Sequence, residues 1–157
     1  MMPPALKTRI AAAVAGGALA IAVPLTGYFE GLRPMAYLDP VGIPTICYGS
    51  TAGVRIGQRR SQAECDRLLA GELGQALAVV DRSARVPMPD TRRAALASFV
   101  YNVGPGAYQR STLLRRLNGG DTVGGCNELL RWNRAGGQVL PGLTARREAE
   151  RELCLMH

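Results

Sequence analysis

The spacing of hydrophobic residues predicts an apolar N-terminal stretch, then a short β element, then a series of helices. Residues 10–29 carry no charge, and the most apolar part is Ile10–Val23. The segment IPTICYG at 43–49 alternates loosely and contains β-branched residues, which predicts a short hairpin. Beyond it, apolar residues recur at helical spacing, at Cys65, Leu68, Leu69, Ala76, Leu77 and Val80. One small β element followed by helices predicts an α+β fold.

Capping residues mark the expected helix boundaries. Ser61-Gln62-Ala63-Glu64 is a capping box and predicts a long helix over about 62–84. Asp90 is placed to cap a helix over 91–103, which Gly104 would close. Shorter helices are expected over about 111–118, 122–134 and 144–155. Nothing in the sequence marks a further domain after residue 30, and the length suits one compact unit.

The N-terminal stretch has the features of a membrane signal. Lys7 and Arg9 precede it, which predicts a cytoplasmic N-terminus and a body outside the membrane. Its length suits an export signal and is marginal for a stable span, and its many alanines and glycines would hold it weakly. It is interpreted as a cleaved signal with Ala20-Ile21-Ala22 as the cleavage site, a weak permanent anchor, or a segment that later leaves the bilayer. A buried helix of a soluble protein is the remaining alternative. We divide the chain into a segment at 1–29 and a body at 30–157.

Charge and cysteine content limit the kinds of partner and the kinds of site that are expected. The formal net charge of +7 favours anionic partners, among them nucleic acid, acidic lipid and cell-wall polymer. The four cysteines form no C-x-x-C pair and His157 is the only histidine, so a zinc site is not expected. They suit two disulfides in an oxidising compartment, although four buried thiols are an alternative. Of three possible pairings, we predict Cys47–Cys65, joining hairpin and long helix, and Cys126–Cys154, joining two helices.

Two carboxyl groups are candidates for acid–base chemistry. Glu30 lies nine positions before Asp39, and Thr45 lies six positions further on. A carboxyl among apolar groups favours its protonated form, whereas one in a polar turn stays ionised. Such a pair provides the acid and base that glycoside hydrolysis requires, and a hydroxyl at position 45 would position water. The spacing alone also fits unrelated surface charges. The apolar residues that surround Glu30 in sequence are Tyr28, Phe29, Leu32 and Met35.

The motifs around these residues resemble the catalytic core of the phage lysozyme family. They are EGLR at 30–33, YLD at 37–39 and TICYG at 45–49. The segment RRAALASFVYNVG at 92–104 resembles the central buried helix of that family, and residues 111–114 and 142–148 resemble the starts of later helices. The resemblance covers about 30–157. It implies a hairpin lobe and a larger helical lobe joined by a long helix, with no cofactor or metal.

The resemblance also implies an activity and its residues. The reaction would be hydrolysis of the β-1,4 bond between N-acetylmuramic acid and N-acetylglucosamine in peptidoglycan, for host cell lysis. Glu30 would be the general acid, and Asp39 and Thr45 would hold the attacking water, giving inversion. Arg146 or Arg147 would approach Glu30, and since a cation favours the ionised carboxylate, apolar burial would have to outweigh it. By position, the candidate sugar contacts are Tyr37 and Asn102, for which packing is the alternative.

The N-terminus narrows the resemblance to phage endolysins with a signal-arrest-release segment. Such an enzyme would be a monomer exported to the periplasm and tethered inactive to the host inner membrane by residues 10–23. Membrane depolarisation would free it. Ser50 departs from the family pattern, in which many relatives carry a histidine in a structural ion pair. Trp132 is expected in the core rather than as a sugar platform.

Two alternatives compete with this interpretation. One is a non-catalytic cell-wall-binding module on the same fold, although such a module is expected to have lost one of the three catalytic residues. The other is a basic nucleic-acid-binding protein, which would need no export signal and for which the sequence has no zinc-finger spacing. We therefore expect no nucleic-acid partner.

Overall fold

The N-terminal apolar stretch forms two helices in the computed structural model, which describes residues 1–157. Helix α1 spans Pro4–Ala13, a 3₁₀ turn spans Val14–Gly16, and helix α2 spans Gly17–Glu30. The chain breaks at Gly17 with φ +87°, a conformation that only glycine adopts freely. The run Pro4–Glu30 is also long and apolar enough to cross a membrane. The buried apolar residues of this N-terminal region are Met2, Leu6, Ile10, Ala18, Ile21, Ala22 and Leu25.

A β-hairpin follows α2 directly. Strand β1 (Arg33–Leu38) pairs antiparallel with strand β2 (Pro44–Cys47). Tyr37 lies opposite Thr45, and the register shifts between Arg33 and Tyr37. The hairpin forms the smaller lobe and carries two of the three predicted catalytic residues.

The long helix α3 (Gln62–Ser83) connects this lobe to the helical lobe. As predicted, Ser61 caps it, because the Ser61 hydroxyl accepts from the Glu64 backbone N–H at 3.2 Å. Of the apolar positions predicted from the spacing, Cys65, Leu69, Ala76 and Val80 lie in the core, whereas Leu68 is 40% exposed. The prediction of a long helix over 62–84 is therefore confirmed.

The helical lobe is built around helix α4 (Asp90–Val103), in which residues 94–100 are all buried. After it come α5 (Pro105–Gln109), α6 (Thr112–Asn118) and α7 (Thr122–Glu128). A 3₁₀ turn (Leu129–Arg131) leads to a second small hairpin, β3 (Arg134–Ala135) and β4 (Gln138–Val139). Helix α8 (Pro141–Cys154) closes the chain against α4. The α+β prediction is confirmed.

Three boundaries differ from the sequence-based expectation. Asp90 makes no capping bond and is the first residue of α4, where it pairs with Arg93 at 2.8 Å. The helix expected over 122–134 ends at Glu128, because the chain tightens into a 3₁₀ turn before the second hairpin. Helix α8 begins at Pro141 rather than Thr144, since proline is well suited to the first helical turn.

Both predicted disulfides are confirmed. Cys47 and Cys65 are bonded with Cα atoms 5.0 Å apart, and Cys126 and Cys154 with Cα atoms 5.8 Å apart. The first bond fixes the hairpin to α3, and the second fixes α7 to α8.

Ionic contacts fasten the start of the chain to α8. The Met1 amino group lies 3.1 Å from the Glu148 carboxylate, and Lys7 lies 3.0 Å from Glu152. The Met2 backbone N–H also donates to Glu152, at 2.6 Å. Burial raises the pKa of Glu152, but the hydrogen bonds from Met2 and Lys7 outweigh it and leave that pKa below its ordinary value. We call these contacts the N-terminal latch.

Candidate active site

Glu30 occupies the last position of α2, at the junction of the two lobes. Gly31 ends the helix with φ +76°, and its N–H donates to the Gly27 carbonyl at 3.2 Å. The next turn of the chain enters β1, so the position of Glu30 is set by where α2 packs and where the hairpin begins. The Glu30 side chain is 24% exposed, which leaves it accessible to a ligand.

A buried arginine holds the Glu30 carboxylate. Arg146 on α8 donates from Nη1 to Glu30 Oε1 at 2.6 Å. The same guanidinium donates to Glu150 Oε1 at 3.2 Å and to the Ser98 carbonyl at 3.2 Å. Because Arg146 is only 3% exposed and has partners on two other sides, its orientation toward Glu30 is fixed. The structure therefore brings together the predicted acid and one of its two candidate partners.

Arg147, the other candidate partner of Glu30, does not contact it. It donates to the Trp132 carbonyl at 2.9 Å, to Glu150 and to Asn102 Oδ1. Successive helical residues point about 100° apart, so only one of the two arginines contacts the acid. Burial lowers the pKa of Arg147, although the Glu150 carboxylate opposes that shift. Arg147 instead fixes the Asn102 amide.

The apolar environment expected around Glu30 is not formed by its sequence neighbours. Tyr28, Leu32 and Met35 are 42%, 38% and 51% exposed. The helix ends at Glu30 and the chain turns into a strand, so these residues spread over the surface. Only Phe29 packs against the core.

Asp39 lies at the tip of the hairpin in a turn that it stabilises. Its Oδ1 accepts from the backbone N–H groups of Val41 at 2.9 Å and Ile43 at 2.8 Å. No protein group donates to its Oδ2. Thr45, 5% exposed, donates its hydroxyl to the Ile43 carbonyl at 2.9 Å. One oxygen of Asp39 is thus used for structure, and the other is free to bind a ligand.

The two candidate sugar contacts differ in setting. Tyr37 is half-buried on β1, with the Arg33 guanidinium 4.2 Å from its ring centroid. Asn102 is exposed on α4, and its amide is oriented by Arg147. Trp132 packs against the core, as expected, with its ring centroid 5.2 Å from that of Phe99 in an edge-on arrangement.

A polar cluster that the sequence interpretation missed borders the acid. Ser50 donates to Glu72 Oε1 at 2.6 Å, and Tyr101 donates to Glu72 Oε2 at 3.1 Å. Burial, and then the charges of Glu72 and Glu30, raise the pKa of Tyr101. A Cβ added at Gly49 would lie 3.9 Å from both Glu30 Oε2 and the Tyr101 hydroxyl. Two hydroxyl donors therefore satisfy one carboxylate beside Glu30.

The position of Glu72 carried a signal in the sequence. It is a charged residue flanked by the buried Leu69 and Leu73 on α3, and a carboxylate at such a position needs polar partners. No group of His, Cys, Asp or Glu side chains is arranged to hold a metal ion.

Fold and site together point to a class of protein. Glu30, held by a buried arginine at the junction of a helical lobe and a hairpin lobe, and a second carboxylate on the hairpin supply the two carboxyl groups that a lysozyme-type glycoside hydrolase requires. The family model for phage lysozyme matches residues 27–150, so the chain belongs to the phage lysozyme family.

Individual relatives agree with this assignment. The chain is 45% identical to a SAR-endolysin of Enterobacteria phage PA-2, and the match covers 98% of each protein. Among solved structures it is similar to the muramidase domain of SpmX from Asticaccaulis excentricus, at 34% identity and TM-score 0.81, covering 87% of this chain and 95% of that one. It is also similar to the active form of the P1 phage endolysin Lyz, at 27% identity and TM-score 0.78, covering 96% and 92%.

Proposed function

We propose that this protein hydrolyses the β-1,4 bond between N-acetylmuramic acid and N-acetylglucosamine in peptidoglycan. The observation that carries the proposal is the placement of Glu30, held by Arg146 at the lobe junction with its Oε2 directed toward Gly49. Because Arg146 donates to Oε1, Oε2 is the oxygen left to carry the proton for the leaving sugar oxygen, and Glu30 must hold that proton against the charge of Arg146 without a shell of apolar sequence neighbours. Glu30 would thus be the general acid.

Asp39 and Thr45 would position the attacking water. The free Oδ2 of Asp39 accepts a hydrogen bond from this water, and the Thr45 hydroxyl oxygen orients the same water. Attack at the anomeric carbon, with proton transfer from Glu30 to the leaving oxygen, breaks the glycosidic bond and inverts the sugar. The water proton passes to Asp39, so the charges balance. Tyr37 and Asn102 would contact the sugars.

Replacing Glu30 with glutamine tests the proposal. Glu30→Gln preserves shape but removes the transferable proton, so release of reducing ends from purified walls should fall by about 10²–10⁴-fold. Glu64→Gln is the matched control, since Glu64 is an exposed carboxylate on α3 distant in sequence from the site. Equal rates for a folded Glu30→Gln variant and the wild type would remove Glu30 from the mechanism. That result would favour a wall-binding module without catalysis.

We also propose that the enzyme is exported and first held at the inner membrane by residues 10–23, with its N-terminus in the cytoplasm. The membrane-length run Pro4–Glu30, the two disulfides and the nearly full-length similarity to a SAR-endolysin support this. The six residues from Pro24 to Phe29 span at most about 25 Å when extended. A tethered chain therefore keeps Glu30 near the lipid and prevents α2 from packing against α4.

In the structure, α2 packs against the body of the protein, and we call this the docked form. Under this proposal, docking activates the enzyme. Ile21 and Leu25 of α2 are fully buried against the body, and that packing is what brings Glu30 to Arg146. Release of the segment would thus complete the site. Mass spectrometry of the active periplasmic protein should find the intact N-terminus. A mature chain beginning near Val23 would instead indicate ordinary signal cleavage.

A further inference from the structure

Four arginines without acidic partners surround one depression on the helical lobe. The depression has a volume of about 660 Å³ and no carboxylate in its lining. None of these four arginines forms an ion pair, so the basin gathers four positive charges that no nearby carboxylate neutralises. All four are exposed. The arginines of this basin, as we call it, are Arg82, Arg85, Arg110 and Arg115.

Hydrogen bonds of Asn118 and Ser111 hold the backbone beneath the basin in place. Asn118 of α6 accepts from the Arg85 backbone N–H at 2.8 Å and donates to the Ser83 carbonyl at 3.0 Å. This pair of bonds ties the end of α3 to α6. Ser111 accepts from the Leu114 backbone N–H at 3.1 Å and fixes the start of α6. The backbone from which the arginines project is therefore held in place, so anion binding would have to order only their side chains.

A neighbouring groove links the basin to the polar cluster that borders Glu30. Arg82 also lines a neighbouring groove of about 520 Å³, which runs between α3 and α4. The other end of that groove is lined by Glu72 and Tyr101, the cluster that borders Glu30. A polymer that lies in the cleft and continues along α3 therefore reaches the arginines.

We infer that the basin binds carboxylate groups on the peptides attached to the glycan strand that is being cut. This inference rests on the proposed function, because the glycan must occupy the cleft for its peptides to reach the basin. Guanidinium groups recognise carboxylates in a paired, planar geometry. Continuity with a groove that ends at the polar cluster beside Glu30 favours the substrate over a membrane lipid as the source of the anion.

Two substrates that differ only in their peptides test the inference. The first is peptide-bearing wall glycan and the second is the same glycan stripped of peptides by an amidase. The variant is full-length Arg110→Gln with Arg115→Gln, both outside the connecting groove. The matched control is Arg55→Gln with Arg67→Gln, which removes the same charge from two exposed arginines that form no ion pair and line no part of the basin.

The basin variant should lose about tenfold in kcat/KM on peptide-bearing glycan, as expected for two exposed ionic contacts. It should remain within about twofold of wild type on stripped glycan, and the control variant should match wild type on both. Equal losses in the basin and control variants would mean a general charge effect and overturn the inference. So would unchanged wall cleavage with weakened flotation on vesicles of anionic phospholipid. If wild type released no reducing ends from either substrate, the proposed function itself would fail.

Discussion

Adding a positive charge at Thr8 should delay release of the N-terminal segment from a polarised membrane. In the proposed tethered state the Met1 amino group, Lys7 and Arg9 would be cytoplasmic, whereas in the docked structure α1 lies on the same body as the active site. Three positive charges must therefore cross the bilayer outward, against an inside-negative potential. Moving one charge costs about 2.3 kcal/mol per 100 mV, so the three cost about 7 kcal/mol. Depolarisation removes this barrier.

Thr8→Lys adds a fourth charge at an exposed position of α1, where the docked structure accommodates a longer side chain. The added cost of about 2.3 kcal/mol at 100 mV slows release by up to about 50-fold. Thr8→Gln is the neutral control. Release is followed as the fraction of enzyme in the soluble periplasmic extract, with and without an ionophore.

The dependence on voltage distinguishes this mechanism from a change in anchoring. The two variants should differ in a polarised membrane and become equal once the ionophore collapses the potential. If Thr8→Lys were released as fast as Thr8→Gln before depolarisation, the N-terminal charges would not control release. A delay that persists after depolarisation would point to a desolvation barrier instead.

Two further predictions concern stability. Replacing Cys126 and Cys154 with serine should lower the free energy of unfolding by about 3–4 kcal/mol, measured by urea denaturation, because the unfolded chain regains the freedom of that loop. An unchanged urea midpoint would show that the bond contributes nothing. Burial, and then the hydrogen bond to Asp66, raise the pKa of Tyr48 from 10.0 to about 12. The unfolded state deprotonates first, so stability should fall as pH rises from about 10 to 12, and Tyr48→Phe should show a shallower fall in thermal melts. A slope identical to wild type would contradict this.

Local signals in the sequence determined much of the architecture. The capping box at Ser61 and the apolar spacing after it predicted α3 to within a residue or two, because capping and burial of one helix face act over a few neighbouring positions. The same reasoning failed at Asp90, where a bond to Arg93 replaced the cap. The family motifs identified Glu30 and Asp39 as the candidate carboxylates, because a motif depends only on residue types and their spacing along the chain.

The surroundings of the acid were decided only by the tertiary structure. Sequence neighbours suggested an apolar setting for Glu30, but three of them turned outward and the group that contacts it, Arg146, comes from 116 positions away. The choice between Arg146 and Arg147 depended on how α8 is rotated against α4. The hydrogen bonds from Ser50 and Tyr101 to Glu72 likewise join residues from three separate parts of the chain.

The apolar N-terminal segment shows most clearly what a sequence leaves open. Its composition determines that it must leave water, since a long stretch of exposed apolar surface is costly. Composition does not determine whether lipid or protein covers it. Shape complementarity with α3 and α4 and the latch to Glu148 and Glu152 decide that the docked form exists. These contacts form between residues far apart in the chain, and only folding brings them together.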